Sequence, residues 1–243
     1  MPGNLFLVQM DFQVERLFAL GRRRRLPLRE ADLGYLVHCA TRELFGERAP
    51  SQFFVANERH GVAEVLAYTD RSEAELAEDS RSATRDALDT VGVPQIRVRE
   101  MPVSWRTGRA LAFEVRACPI VRLSSASARY RKGAEIDAFL AACARTDAPV
   151  DREQVYRDWL SVELERRGGV RARSVRVSAF QRERLLRRDH GRERRPHSVE
   201  RPSVLFQGQL EVTDGAAFDA LLRRGVGRHR GFGFGMLLLR PVR

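Results

Sequence analysis

A single lysine, Lys132, stands among 43 basic side chains, so almost every positive charge is an arginine. Arginine keeps its charge at any physiological pH and binds phosphate through two parallel hydrogen bonds. Cysteine is scarce as well. The three thiols, Cys39, Cys118 and Cys143, are far apart and match neither a zinc spacing nor a disulfide framework. A reducing, cytoplasmic setting is the expectation from that usage. Long apolar runs are missing. The longest near the start is Leu5–Val8, with Asp11 soon after, so neither a secretory signal nor a membrane span fits the sequence. Several catalytic patterns are also absent: no Gly-x-Ser-x-Gly, no His-Glu-x-x-His and no phosphate-binding Gly-Lys-Ser/Thr. His190 and His197 sit among arginines rather than among metal-ligating side chains, and no metal site or cofactor is read.

What remains is a chain of 243 residues, 43% hydrophobic, carrying 32 acidic side chains and a formal charge of +11. That length buries a real core, and the excess of arginine suits a polyanionic partner, above all nucleic acid. Phe6, Val8, Met10 and Phe12 alternate as on a strand. The loop Gly21–Arg25 follows, then a helix from about Leu28 to Phe45. Phe53–Glu58 and Val62–Thr69 read as paired strands, and Ser72 caps a second helix extending to about Val91. Leu111–Ala117 closes this half in the order β-α-β-β-α-β, the ferredoxin-like plan.

The plan then repeats loosely. Ile120–Leu123 is the expected first strand, Asp151–Arg167 a helix, and Arg173–Phe180 and Val204–Thr213 two alternating strands. A helix over Ala216–Arg224 and a strand over Phe234–Pro241 complete it. The expected architecture is α+β, two tandem ferredoxin-like domains. Residues 1–118 form the first, 119–133 the linker and 134–243 the second.

Three segments carry candidate chemistry. On the first long helix Tyr35, His38 and Arg42 share the face opposite the apolar stripe, a candidate acid/base and phosphate-stabilising set on the solvent side. An ordinary polar helix face would look the same. Gly225–Gly235, GVGRHRGFGFG, has five glycines that expose backbone N–H groups, with Arg228, His229 and Arg230 between them. A turn needed only for packing is the plainer reading. Gln181–Pro202 holds eight arginines and four acids between two strands, a basic connection able to track RNA phosphates, or else a solvated charge run. Trp159 and Leu160 read as helix core.

Taken together these segments resemble the CRISPR repeat-processing endoribonucleases of the CasE type, in the RAMP superfamily. The resemblance rests on Phe206–Val242, FQGQLEVTDGAAFDALLRRGVGRHRGFGFGMLLLRPV, on Tyr156–Leu160, YRDWL, and on Leu111–Arg122, LAFEVRACPIVR. It implies two ferredoxin-like domains and a catalytic histidine on the first helix, a place that His38 fills, with Tyr35 one turn earlier. Some members use a lysine shortly after the histidine; here Arg42 stands nearby. The resemblance implies metal-free attack by a 2′-hydroxyl on the adjacent phosphate, with the cleaved repeat hairpin retained as crRNA. It also implies partnership with the subunits of a Cascade effector complex. The expected RNA contacts are Arg129, Arg131 and Lys132 in the linker, and Arg187, Arg188, Arg192, Arg194 and Arg195 in the basic connection. Gly227, Arg228, His229, Arg230, Gly231 and Gly233 in the glycine loop complete them. An inactive RNA-binding subunit of such a complex has the same surface, and a basic protein of translation or nucleoid packaging has the same charge.

Overall fold

A computed structural model of the chain describes residues 3–28, 32–91, 96–126, 130–166, 168–188 and 196–242, with the backbone alone at 187, 188, 196 and 197. The first lobe begins with β1 (Phe6–Gln13), α1 (Val14–Arg23) and α2 (Leu33–Phe45). The strand pair β2 (Phe53–Arg59) and β3 (Val62–Thr69) follows, then α3 (Glu73–Asp79), α4 (Arg85–Leu88) and β4 (Arg97–Glu100). Its four strands lie in the order β2-β3-β1-β4. The alternation of β1 puts Val8, Met10 and Phe12 into the core beneath Leu36, Val37, Ala40 and Leu44 of α2. Burying each such side chain contributes about 1.5–3 kcal/mol, and the period of two on the strand against 3.6 on the helix makes the two stripes meet.

The second lobe opens with β5 (Ala110–Ala117). A small insertion comes next, made of β6 (Ile120–Arg122), β7 (Glu135–Asp137) and α5 (Ala138–Cys143). The remainder is α6 (Arg152–Glu165), β8 (Val170–Arg188), β9 (Pro196–Val212), α7 (Gly215–Arg224) and β10 (Leu237–Pro241). The sheet order is β10-β5-β9-β8. Both sheets thus have the antiparallel order fourth-first-third-second, the ferredoxin-like arrangement expected from the sequence. Val204, Phe206, Leu210 and Val212 of β9 pack with Leu160 of α6 and Phe218 and Leu221 of α7.

The sheets correct the expected use of several segments. Leu111–Ala117 does not close the first sheet; it pairs with β9 and β10 as the first strand of the second. The closing strand of the first sheet is Arg97–Glu100, whose alternating charges leave Val98 as its one apolar residue and hide it from hydrophobic patterning. The division at 118 with a linker at 119–133 therefore does not follow the sheets. Ile120–Arg122 pairs only with β7 inside the insertion. Gly21–Arg23, expected as loop, is the last turn of α1, with Leu17, Leu20 and Gly21 buried. The expected helix from Ser72 to Val91 is broken, because Thr84 starts a new turn by accepting a hydrogen bond from Ala87 N. The basic connection is mostly paired strand: β8 and β9 stay in register out to Arg188 opposite Pro196.

Hydrogen bonds among the described residues tie the lobes together, one of them from Arg223 Nη2 to the Gly3 carbonyl at 2.7 Å. The Gln52 amide donates to the Leu222 carbonyl, Tyr68 Oη donates to the Leu237 carbonyl at 3.0 Å, and Leu186 N donates to Asp32 Oδ2 at 3.1 Å. Leu5, Phe54 and Tyr68 of the first lobe also pack into the core of the second. Among the described residues no helix is long and apolar enough to cross a membrane.

Candidate nucleic-acid interface and active site

Asp32 starts α2 by accepting Tyr35 N at 2.8 Å, which sets where the following turns present their side chains. Leu36, Val37, Ala40 and Leu44 bury the inner stripe, and His38 and Arg42 face an open cleft of about 1970 Å³ between the lobes. Tyr35 departs from expectation. It is 6% exposed rather than turned to solvent, because Phe232 of the glycine loop stacks on it with ring centroids 6.0 Å apart and planes 5° apart. Phe232 also meets the His38 ring at 4.6 Å. Arg42 lies on the cleft wall with Nη2 2.5 Å from Glu47 Oε1, an exposed pair.

The glycine loop forms the opposite wall. Gly225, Gly227, Gly233 and Gly235 have φ between 66° and 87°, and His229 shares that left-handed region at 60°. Gly227 is required for a second reason: a Cβ there would lie 2.9 Å from the Trp159 ring. Gly231 lies so close to α2 that a Cβ on it would be 3.5 Å from His38 Nδ1. Glu135 of β7 holds the basic residues of the loop, with Arg228 Nη1 at 2.8 Å and His229 Nε2 at 3.7 Å; Arg201 Nη2 approaches the same carboxylate at 3.9 Å. Arg230 turns back and donates to the Arg224 carbonyl at the end of α7. Burial, then the charges of Arg224 and Arg228, pull its pKa below the ordinary arginine value. Cations held this close attract an anion strongly.

On the side of α1, Arg24 grips Glu43 of α2 through two contacts, Nε to Oε2 at 2.9 Å and Nη2 to Oε1 at 2.6 Å, while Thr84 Oγ1 donates to Oε1 at 2.5 Å. Burial alone would raise the pKa of Glu43, but these hydrogen bonds outweigh it and hold the carboxyl below its ordinary value. The acid on this wall is thereby kept paired.

Of the expected site residues, His38, Tyr35, Arg42, Arg131, Gly227, Arg228, His229, Arg230 and Gly231 line this one cleft. Lys132 is exposed beside it, and Gly233 is buried against Phe53, turning the chain toward β10. Arg187 and Arg188 lie opposite His197 and Pro196 on the hairpin ladder, with their side chains outside the described atoms. Arg129, Arg192, Arg194 and Arg195 fall outside the described residues. Sequence reasoning missed Arg122, Arg166 and Arg224 on the cleft; Arg24 belongs to the arginine run of the Gly21–Arg25 segment, open there as extra RNA contacts or a basic loop, and Arg201 to the basic connection. It also missed Glu135, an acid in an otherwise basic stretch, and took Trp159 only as core although that ring backs the glycine loop.

Two lobes of ferredoxin-like fold with a basic cleft between them define the class. The sequence matches the family described as CRISPR associated protein over residues 5–241, and the chain belongs to that family. Among curated proteins no sequence match is found. Similar solved structures share the fold across the whole chain. CRISPR endoribonuclease Cse3 bound to a 19-nucleotide RNA matches at 20% identity and a TM-score of 0.64, covering 99% of this chain and 100% of that one. The CRISPR-associated protein Cas6e of Escherichia coli K-12 matches at 17% identity and 0.59, over 98% and 100%. A chain of a CRISPR RNA-guided surveillance complex matches at 17% and 0.54, again over 98% and 100%. The fold is that of the CasE-type proteins.

Proposed function

We propose that this chain is a metal-independent CRISPR endoribonuclease that binds the repeat hairpin, cuts pre-crRNA and stays on its product. The observation that carries the reading is His38, held against Gly231 on the floor of a cleft whose walls carry arginines from both lobes. Imidazole can accept and return a proton near neutral pH, and the cationic walls suit the phosphates of a structured RNA. Relatives of this fold have been solved with RNA and within a surveillance complex, which supports the same partners here.

In the proposed reaction the substrate's 2′-hydroxyl loses its proton to a base as its oxygen attacks the adjacent phosphorus. The bond from phosphorus to the 5′-oxygen breaks, and an acid protonates that oxygen. The products are a 2′,3′-cyclic phosphate and a 5′-hydroxyl, with no water consumed. His38 serves the proton transfers, a role typically worth about 10²–10⁴-fold. Tyr35 under Phe232 orients this site, and Arg42, released from its exposed partner Glu47, stabilises developing charge on the phosphate.

A second reading, an RNA-binding subunit without catalysis, is favoured by the burial of Tyr35, which leaves one acid/base side chain of the expected pair facing the cleft. End-labelled repeat RNA from the same genome, incubated in EDTA with wild type and His38→Ala, decides between them. One cut at the 3′ base of the hairpin, absent in the variant while binding persists, supports the nuclease. Tight binding by wild type with no cut selects the second reading.

A further inference from the structure

We infer that Phe232 is a positioning residue for His38 and that Gly34 is the vacancy that seats it, an inference resting on the nuclease reading above. Glycine is the poorest helix former after proline, yet Gly34 occupies the first turn of α2. The reason lies across the cleft. A Cβ on Gly34 would stand 2.3 Å from the Phe232 carbonyl oxygen and 3.0 Å from its carbon, so only hydrogen lets the loop backbone reach the helix. That approach brings the Phe232 ring onto both Tyr35 and His38.

The loop that carries Phe232 is anchored at several points. Phe232 N donates to the His229 carbonyl at 2.9 Å, Gly235 N to the Arg116 carbonyl at 2.6 Å, and Gly227 abuts Trp159. The Phe232 side chain is a plain phenyl ring that neither donates, accepts nor stores a proton. Its contribution to a reaction at His38 is therefore orientation: an aromatic ring with its centroid 4.6 Å from that of the imidazole removes the His38 rotamers it would overlap. Tyr35, stacked on the same ring with centroids 6.0 Å apart, keeps the phenyl group from turning away.

The test uses the full chain carrying Phe232→Leu, Phe232→Tyr or Gly34→Ala. Single-turnover cleavage of the repeat hairpin is measured beside its dissociation constant, taken with a hairpin lacking the scissile 2′-hydroxyl. The His38 imidazole protons are followed by NMR in the RNA-free protein. Phe232→Leu and Gly34→Ala should slow cleavage on the order of 10²-fold, the scale of a misplacement near 1 Å, with little change in affinity. Phe232→Tyr should restore the rate. The ring-current displacement of the His38 resonances should vanish in the first two variants and persist in the third. Wild-type cleavage by Phe232→Leu, or unmoved His38 resonances, overturns the proposal. A parallel fall of rate, affinity and melting temperature in Phe232→Leu also overturns it, in favour of a loop that only folds and binds. In each of these outcomes wild type still cuts, so the nuclease reading survives. If wild type does not cut, that reading fails and the positioning role fails with it, even where the ring contact persists.

Discussion

Asp32 receives Leu186 N at 3.1 Å on one carboxylate oxygen while the other caps α2 through Tyr35 N at 2.8 Å. One side chain thus joins the hairpin of the second lobe to the helix that carries His38. Folding stability and the placement of the candidate active site therefore share a residue.

Asp32→Ala is expected to lower unfolding free energy by about 2–3 kcal/mol, the sum of a lost cap and a lost charge-assisted hydrogen bond. Urea denaturation reads this directly. RNA cleavage should fall further than the folded fraction accounts for, because α2 loses its tie to the hairpin of the second lobe. Asp32→Asn keeps one acceptor for Tyr35 N and should restore most of the stability. An Asp32→Ala protein with wild-type midpoint and rate would remove Asp32 from this role.

Acid should expose the contribution of Glu43. Its carboxyl titrates below the ordinary value of 4.5 in the folded chain, since Arg24 and Thr84 hold the ionised form. A folded pKa below the unfolded one gives stability that is full above the unfolded value and is lost as pH falls through the folded value. Glu43→Gln should therefore be less stable than wild type at pH 7, and the gap should close as pH falls below 4.5. Denaturation midpoints of both proteins across that range check it; a gap that stays constant would refute the linkage.

How far the sequence revealed this molecule depends on which forces its patterns record. Alternation in β1 and β9 reports burial on one face, and there it placed the strands well. Arg97–Glu100 has one apolar side chain, Val98, and is placed mainly by its pairing with β1 and by the Arg97–Asp11 ion pair, so it left almost no hydrophobic trace. Leu111–Ala117 was legible as a strand, but its partners lie nearly a hundred residues away in β9 and more than a hundred in β10, a relation that local pattern does not encode. The spacing of Tyr35, His38 and Arg42 put all three on one side of α2; His38 and Arg42 do face the cleft, while Tyr35 lies buried at its edge. What spacing could not show was Phe232 arriving from the other lobe to cover Tyr35. Gly34 was the available hint, a glycine in the first turn of a helix where something comes close.

Arg228 and Arg230 sit two residues apart and should fail differently. Arg230 donates to the last carbonyl of α7, an acceptor the helix cannot satisfy internally. Arg228 is half exposed and pairs with Glu135. Arg230→Ala is expected to lower the melting temperature of the RNA-free protein, whereas Arg228→Ala should leave it nearly unchanged and weaken hairpin binding instead. Because Arg224, Arg228 and Arg230 repel one another, hairpin RNA should also stabilise wild type more than either variant. Thermal melts with and without RNA separate these effects, and equal melting losses in the two variants would contradict the division.

Arg192, Arg194 and Arg195, in the sequence between β8 and β9, test whether charge there grips RNA or is merely solvated. The described ladder runs to Arg188 opposite Pro196, so replacing Arg192, Arg194 and Arg195 together by alanine leaves every described β8–β9 pair intact. Stability of the free protein should hold. If each arginine neutralises one phosphate of a duplex stem, the slope of log affinity against log salt should become shallower by roughly 2–3, at about 0.7–0.9 per contact. Cleavage at saturating protein should be unchanged, since the loss is of grip rather than of chemistry. An unaltered salt slope would mean that these side chains face water in the complex. The basic grip would then belong to the cleft arginines Arg122, Arg131, Arg201 and Arg228, which flank Glu135 and the glycine loop.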